Sequence, residues 1–225
     1  MPDGRTVPQT VILANGEYPA EGLQAALLHN AQRVVCCDGA ANAFIADGGR
    51  PTATVGDGDS IDAATLACPD TAFVRNPDQE TNDLTKVFDY CLSQGWNDII
   101  ILGATGRRED HTLANISLLA DYARRARVQM VTPTGVFDAF DSTRTLASVP
   151  GQQVSIFTII PGTEISVEGL VYIPAPGGFR SWWCGSLNEA SADRFTIRTD
   201  SPTIVFRAFD VKHPVQTDRK PCMKK

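Results

Sequence analysis

The chain has 225 residues, 43% hydrophobic and 20% charged, a balance that supports one large or two small packed domains and excludes a disordered chain. No apolar run approaches the roughly 18 residues of a membrane-spanning helix, and a net charge of −6 argues against a nucleic-acid-binding surface, though not against phosphates held by a few local cations or a metal. The N-terminal stretch MPDGRTVPQT has no basic-then-apolar pattern, so no secretory signal is predicted and the expected location is the cytoplasm.

In chain order, TVILAN reads as a strand and EGLQAALLHN as a helix. RVVCCD is a short apolar run, hence a buried strand with Cys36 and Cys37 in its core, and ANAFIADGG follows it. ATVGD is another strand, then comes TAFVRN. NDLTKVFDYCLSQG carries Leu84, Val87, Phe88, Cys91 and Leu92 at helical spacing. DIIILGA is a continuous apolar strand, followed by the helix HTLANISLLADYARRA with Leu113, Ile116, Leu119 and Tyr122 on one stripe, and RVQMVTP is a further strand. Such alternation predicts a parallel sheet covered on both faces.

Beyond about residue 134 the helical period disappears. GVFDAFD, QQVSIFTII, TEISVEGLVYI, RFTIRTD and TIVFRAF are short β-like runs separated by Pro150-Gly151, Pro161-Gly162, Pro176-Gly177-Gly178 and Asp200-Ser201-Pro202. The predicted class is therefore α/β: a Rossmann-like parallel-sheet domain over 1–133, then an all-β sandwich over 134–215. A basic tail, 216–225, is expected to be a solvated end; near it Lys212, Arg219, Lys220, Lys224 and Lys225 face Asp218 alone. Six cysteines without a CxxC pair and three histidines argue against a structural zinc site, and reduced thiols match a cytoplasmic protein.

Ligands of open α/β sheets bind at the carboxyl ends of the strands, and here those ends are chemically unusual. They read Asp38-Gly39-Ala40-Ala41-Asn42, Gly56-Asp57-Gly58-Asp59-Ser60, Asp78-Gln79 leading to Asp83-Leu84-Thr85-Lys86, and Thr105-Gly106-Arg107-Arg108-Glu109-Asp110-His111. Asp57 and Asp59, two apart in an extended segment, point the same way. Two close carboxylates repel unless neutralised, which a hard cation such as Mg²⁺ does. The other reading is an Asp-Gly turn in which Asp59 or Ser60 caps the next helix. Asp83 and Lys86 share a helix face, as a third metal ligand beside a phosphate-binding lysine or as ordinary helix-dipole stabilisation. Arg107 and Arg108 precede a helix N-terminus suited to phosphate, or lie in an exposed polar loop. No P-loop, GxGxxG, GxSxG or HExxH motif is present.

The four motifs, in this order over about 75 residues, resemble the thiamine pyrophosphokinase family. Gly169-Leu170-Val171-Tyr172 and Gly185-Ser186-Leu187-Asn188-Glu189 extend the resemblance into the second half. The resemblance implies an α/β catalytic domain followed by a β-sandwich, a homodimer with thiamine between subunits, and transfer of pyrophosphate from ATP to the thiamine hydroxyl, giving thiamine diphosphate and AMP. It implies Asp57, Asp59 and Asp83 as Mg²⁺ ligands and catalytic acids, and Asn42, Gln79, Lys86, Arg108 and His111 as ATP-binding residues. Asp38, Tyr172, Ser186 and Asn188 would bind thiamine. Asp110 and Asp83 are alternative proton acceptors. Tyr172 stands where the family has Trp, with Trp182 and Trp183 as alternative aromatics. Three positions depart from the family pattern: Asn82 for Thr, Arg107 for Gly and Leu187 for Ser. Two rival readings are a module that senses Mg-ATP without turnover and an enzyme of the same scaffold with another acceptor, such as a pterin.

Overall fold

The computed structural model describes residues 9–68 and 71–211; the predicted tail, 216–225, lies outside them. Strands and helices alternate first: β1 (Thr10–Leu13), α1 (Gly22–His29), β2 (Arg33–Cys37), α2 (Ala40–Ala46), β3 (Ala53–Gly56), the single turn α3 (Ala63–Leu66), β4 (Ala72–Arg75), α4 (Asp83–Ser93), β5 (Asp98–Leu102), α5 (Glu109–Tyr122) and β6 (Arg127–Val131). These strands are mutually parallel in the order β6-β5-β1-β2-β3-β4. Apart from the largely exposed edge strand β4, the apolar strand runs are buried on both faces, as parallel sheets require. Val11, Leu13, Val34 and Cys36 pack with Leu27, Leu28 and Phe44. Ile12, Val35 and Cys37 face the other way, onto Leu84, Val87 and Phe88.

The second half contains β7 (Gly135–Phe140), β8 (Arg144–Ala147), β9 (Gln152–Thr158), β10 (Ser166–Glu168), β11 (Gly185–Glu189), β12 (Arg194–Arg198) and β13 (Thr203–Val211). A tight turn, closed by the Thr132 N–H donating to the Gly135 carbonyl at 2.9 Å, sends β7 back antiparallel to β6. The parallel sheet thereby continues through β7, β13, β9 and β11 into one ten-stranded sheet, while β10, β12 and β8 form a separate three-stranded sheet. Phe140, Leu146, Val154, Ile156, Phe195 and Ile197 fill the space between the two. The expected sandwich is thus present, with one of its layers an extension of the parallel sheet.

Buried Arg207 on β13 donates from Nε and Nη2 to Asp138 Oδ2 on β7 at 2.9 and 2.7 Å. Its Nη1 reaches the Ala147 carbonyl on β8 at 2.8 Å, tying the two layers together. Removing one member of such a pair would strand a charge in the core.

Three local expectations are corrected. Leu113 is exposed and leaves the apolar stripe of α5, because the first turns of that helix border a cleft through Arg108, His111, Thr112 and Asn115 rather than the sheet. The run TEISVEGLVYI is a strand only over Ser166–Glu168. Gly169, at φ +78° and with the Arg194 carbonyl occupying the space of a Cβ, turns the chain away, so Val171–Ile173 are exposed coil. Strands β8 and β11 were not among the predicted runs, because neither RTLA nor GSLNE carries an apolar alternation.

Candidate active site

Strand order reverses direction between β1 and β5: the chain runs outward from β1 to β4 and then returns to place β5 on the other side of β1. Such a switch point leaves a crevice above the carboxyl ends of the strands. Here the crevice is a cleft of about 550 Å³. It is walled by Asn15 and Gly16 after β1, Cys37 in β2, Asp57, Asp59 and Ser60 after β3, and Gln79 after β4. The N-terminal ends of α4 and α5 complete the wall. Asp57, Asp59, Gln79, Asp83, Lys86, Arg108 and His111 therefore share one cavity.

The acidic side is built on the β2 and β3 ends. Asp38, 3% exposed, sits in a left-handed backbone conformation at φ +31°. Its Oδ1 and Oδ2 accept from the backbone N–H groups of Gly58 (3.1 Å) and Ser60 (3.0 Å), fixing the turn that carries Asp57 and Asp59. Gly56 permits this, since a Cβ there would occupy the Asp38 carboxylate. One carboxylate oxygen from each of Asp38, Asp57 and Asp59 lies within 4.8 Å of the others. Neither Asp59 nor Ser60 caps a helix: α3 begins behind Asp62, without a side-chain cap bond. Burial pushes the Asp38 carboxyl up, against the pull of the two N–H groups, and the charges of Asp83 and Asp57 add to the rise. The Asp59 N–H and then the Gln79 amide hold Asp57 below the ordinary carboxylate range.

The cationic side comes from the helices. Asn82 caps α4, its Oδ1 accepting from the Thr85 N–H at 2.9 Å. Asn performs that role as well as Thr, which explains why this departure is tolerated and leaves Asp83 free to face the cleft. Lys86, 5% exposed, reaches Asp83 Oδ1 at 3.1 Å. Arg108 forms a two-point ion pair with Asp110 (3.1 and 2.6 Å). The hydrogen bond from Arg108, and then the His111 N–H, lowers the Asp110 carboxyl from its ordinary value.

Three of the strand-end residues named as site residues, Asp38, Asn42 and Asp110, stand apart from this cleft lining. Asn42 braces the loop behind the acids, donating to the Ser60 carbonyl at 2.9 Å and accepting from the Asp62 N–H. Asp110 is occupied by Arg108 and by the His111 N–H. Asp38 joins the acids rather than the residues around Tyr172. The cleft includes Arg107, read from the sequence as a candidate phosphate contact, and also Asn15, Thr105 and Asn115, which the motifs did not single out as ligands. Arg107 Nη1 donates to the Asn15 carbonyl and Oδ1 at 3.1 and 3.2 Å, joining the loops after β1 and β5. The strand-end rule applied to TVILAN would have found Asn15.

Tyr172, Ser186 and Asn188 line a second cavity of about 320 Å³, with Ile173, Leu187 and Cys184, and it shares no lining residue with the first. Tyr172 is 64% exposed. Asn188 is buried, and its amide accepts from the Tyr172 N–H (3.0 Å) and donates to the Tyr172 carbonyl (2.7 Å).

The sequence matches two family models in succession: thiamin pyrophosphokinase, catalytic domain, over residues 24–132, and thiamin pyrophosphokinase, substrate-binding domain, over residues 135–206. The chain belongs to the thiamin pyrophosphokinase family. A curated relative, thiamin pyrophosphokinase 1 of Caenorhabditis elegans, is 33% identical over 138 residues. That match takes in 57% of this chain and 54% of the relative, so the chain spans about half the length of the curated relative it matches. The thiamine pyrophosphokinase of Bacillus subtilis superposes with a TM-score of 0.74 at 19% identity, over 90% of this chain and 100% of that one. The Candida albicans thiamin pyrophosphokinase superposes at 0.70 with 18% identity, over 90% of each chain. At such identities the superpositions show a shared fold. The catalytic-domain match of the thiamin pyrophosphokinase family contains the cleft residues from Cys37 to Asn115, and the substrate-binding match contains Tyr172, Ser186 and Asn188. Asn15 and Gly16 precede both matches.

Proposed function

We propose that this protein transfers the terminal diphosphate of ATP to the hydroxyl of thiamine, giving thiamine diphosphate and AMP. The observation that carries the reading is the cleft itself. In a chain of this family, the carboxylates of Asp57, Asp59 and Asp83 and the cations of Lys86 and Arg108 converge at the switch point of a parallel sheet.

The acids fit Mg²⁺: three hard oxygen donors lie within one ion's reach, and two of them, Asp57 and Asp59, border the open cleft. Asp38, Asp57 and Asp59 would hold the ion, with Asp83 near enough to Asp38 to raise its carboxyl. Bound there, Mg²⁺ supplies charge neutralisation to phosphate oxygens. Lys86, buried and held by Asp83, presents a fixed positive charge to the phosphates, and Arg108 adds a second at the mouth of α5. Gln79, fixed by its hydrogen bond to Asp57 at 3.2 Å, and His111 complete the nucleotide side. Of the two alternative proton acceptors, Asp83 faces the cleft, whereas Asp110 is engaged by Arg108 and weakened as a base.

Thiamine would bind at the second cavity, with Tyr172 as its aromatic wall and Ser186 beside it. A cationic ring is drawn to an aromatic face. Because the two cavities share no wall within one chain, the reading includes a homodimer that brings the Tyr172 cavity of one protomer to the acidic cleft of its partner. Exposed Trp182, Trp183 and Ile173 supply apolar surface for that contact. The α/β unit, 1–133, would be the catalytic domain and the β unit, 134–215, the thiamine-binding and dimerisation domain, acting in the cytoplasm. No helix among the described residues is long and apolar enough to cross a membrane.

The deciding experiment is AMP formation from Mg-ATP with and without thiamine. Thiamine-dependent AMP release with matching thiamine diphosphate supports the reading. ATP binding without AMP release, or AMP release that responds only to another acceptor, would overturn it.

A further inference from the structure

A third cavity, of about 580 Å³, shares no lining residue with the cleft or with the Tyr172 cavity. It lies at the amino end of β6, beside Arg127 and Val128, and at the carboxyl end of β7, beside Asp138 and Phe140. The cleft occupies the other end of the parallel strands. Strand β8 forms one wall. Side chains alternate along a strand, yet all four residues of β8 line the cavity, which therefore runs along the free edge of the three-stranded sheet. Val128, Phe140 and Leu146 make its floor apolar.

The charges of this wall run against the net −6 of the chain. Arg127, Arg144 and Arg194 line it, with Asp138 as the acid. Asp138 is already engaged within the chain: its Oδ2 accepts from Arg207, and its Oδ1 accepts from Gln129 Nε2 at 2.6 Å. Arg144 and Arg194 are not matched in this way. Arg144 lies on the face of β8 that Leu146 turns to the core between the layers, and it makes no hydrogen bond or ion pair among the described residues. Arg194 meets Asp193 at 3.8 Å, beyond hydrogen-bond length, and both side chains are largely exposed. Arg127, opposite Asp98 in the β5–β6 register, brings a third guanidinium from the parallel sheet. A guanidinium fork matches the paired oxygens of a carboxylate or a phosphate. A concavity of this size, with an apolar floor and a few polar groups, is the usual form of a small-molecule site.

We propose that this cavity is a second ligand site that takes a small organic polyanion. Its phosphate or carboxylate oxygens would sit on Arg144 and Arg194, and its carbon body over Phe140 and Leu146. The ligand would bridge the three-stranded sheet to β6 and β7 of the ten-stranded sheet, so its binding should stabilise the folded chain. The proposal does not depend on the acceptor reaction given above.

The test uses citrate, which offers only carboxylates, and fructose 1,6-bisphosphate, which offers only phosphates. Calorimetric Kd and thermal midpoint are measured on the metal-free full chain, against sodium chloride of equal ionic strength. At least one probe should bind saturably and raise the midpoint, and the tighter of the two identifies the oxyanion. Arg144→Gln and Arg194→Gln should each weaken that binding by about tenfold or more, the loss of one charge-assisted contact, with an unchanged midpoint in the absence of probe. Arg144→Lys, which keeps the charge without the fork, should recover part of the loss. The Lys86→Gln/Arg108→Gln double variant, which removes cations from the cleft, should keep the Kd within about twofold. Failure of both probes to bind beyond the salt control would overturn the proposal. Binding that survives in the Arg144→Gln/Arg194→Gln double variant would overturn it as well, since the anion would then sit elsewhere.

Discussion

The Asn188 side chain pairs with the main chain of Tyr172 on both sides, accepting its N–H at 3.0 Å and donating to its carbonyl at 2.7 Å. A buried amide on β11 thereby fixes a residue in coil, and the Tyr172 ring is left exposed over a cavity. Asn188 is thus engaged in holding Tyr172. Asn188→Ala should leave the Tyr172 and Glu189 groups unpaired, lower stability by about 1–3 kcal/mol, and raise thiamine KM. Denaturant unfolding and steady-state kinetics check this; normal thiamine KM in the folded variant would refute the positioning role.

Tyr172 itself should carry the aromatic contact. Tyr172→Ala is expected to raise thiamine KM by roughly 5–50-fold, a loss of about 1–2 kcal/mol, with little change in ATP KM. Tyr172→Trp should restore or improve binding. If Trp182→Ala or Trp183→Ala raises thiamine KM while Tyr172→Ala does not, the shelf is a tryptophan.

The paired acids after β3 should be indispensable to turnover and dispensable to folding. Asp57→Asn and Asp59→Asn are each expected to lower turnover at least ~10²-fold, with unchanged circular dichroism. Removing one charge from the Asp38–Asp57–Asp59 group should also reduce repulsion in the metal-free protein, so the melting temperature in chelator should hold or rise. Near-normal turnover in both folded variants would exclude the metal role.

The same cluster has a pH signature. Burial raises the Asp38 carboxyl in the folded protein above the ordinary value of 3.8, so its contribution to stability is complete below that value and is lost as pH climbs through the raised one. Asp57 and Asp110 have the opposite sign, since their lowered carboxyls contribute above 3.8 and lose that contribution as pH falls. Carboxyl ¹³C titration in chelator should order Asp38 above Asp57 and Asp110, and Mg²⁺ should move Asp38 downward. An Asp38 that titrates with the other two would contradict the assignment.

The apolar surface around Trp182, Trp183 and Ile173 should be covered in solution. Sedimentation at micromolar concentration should give a species of twice the 24.3 kDa chain mass, and Trp183→Glu should dissociate it and reduce thiamine turnover. A fully active monomer would refute the shared site.

The sequence by itself determined the local features that follow from period and chain chemistry. Continuous apolar runs such as DIIIL and RVVCC had to be buried strands, the spacing of Leu84, Val87, Phe88 and Cys91 had to be one helix face, and polar strand ends had to open on one side of a parallel sheet. Tertiary structure alone decided what depends on residues distant in the chain. The antiparallel turn at Thr132–Gly135 merged two apparent sheets into one, a matter of pairing that neither strand encodes alone. Asp38 joined Asp57 and Asp59 because two backbone N–H groups, 20 and 22 residues away, bind its carboxylate. Leu113 left its stripe because the first turns of α5 overhang the cleft. Leu187 acquired its left-handed backbone from a register shift against β9 and a hydroxyl on Ser155. Periodicity reports which face of an element is apolar; which neighbour covers that face, and which polar group reaches across it, is fixed only when the whole chain has packed.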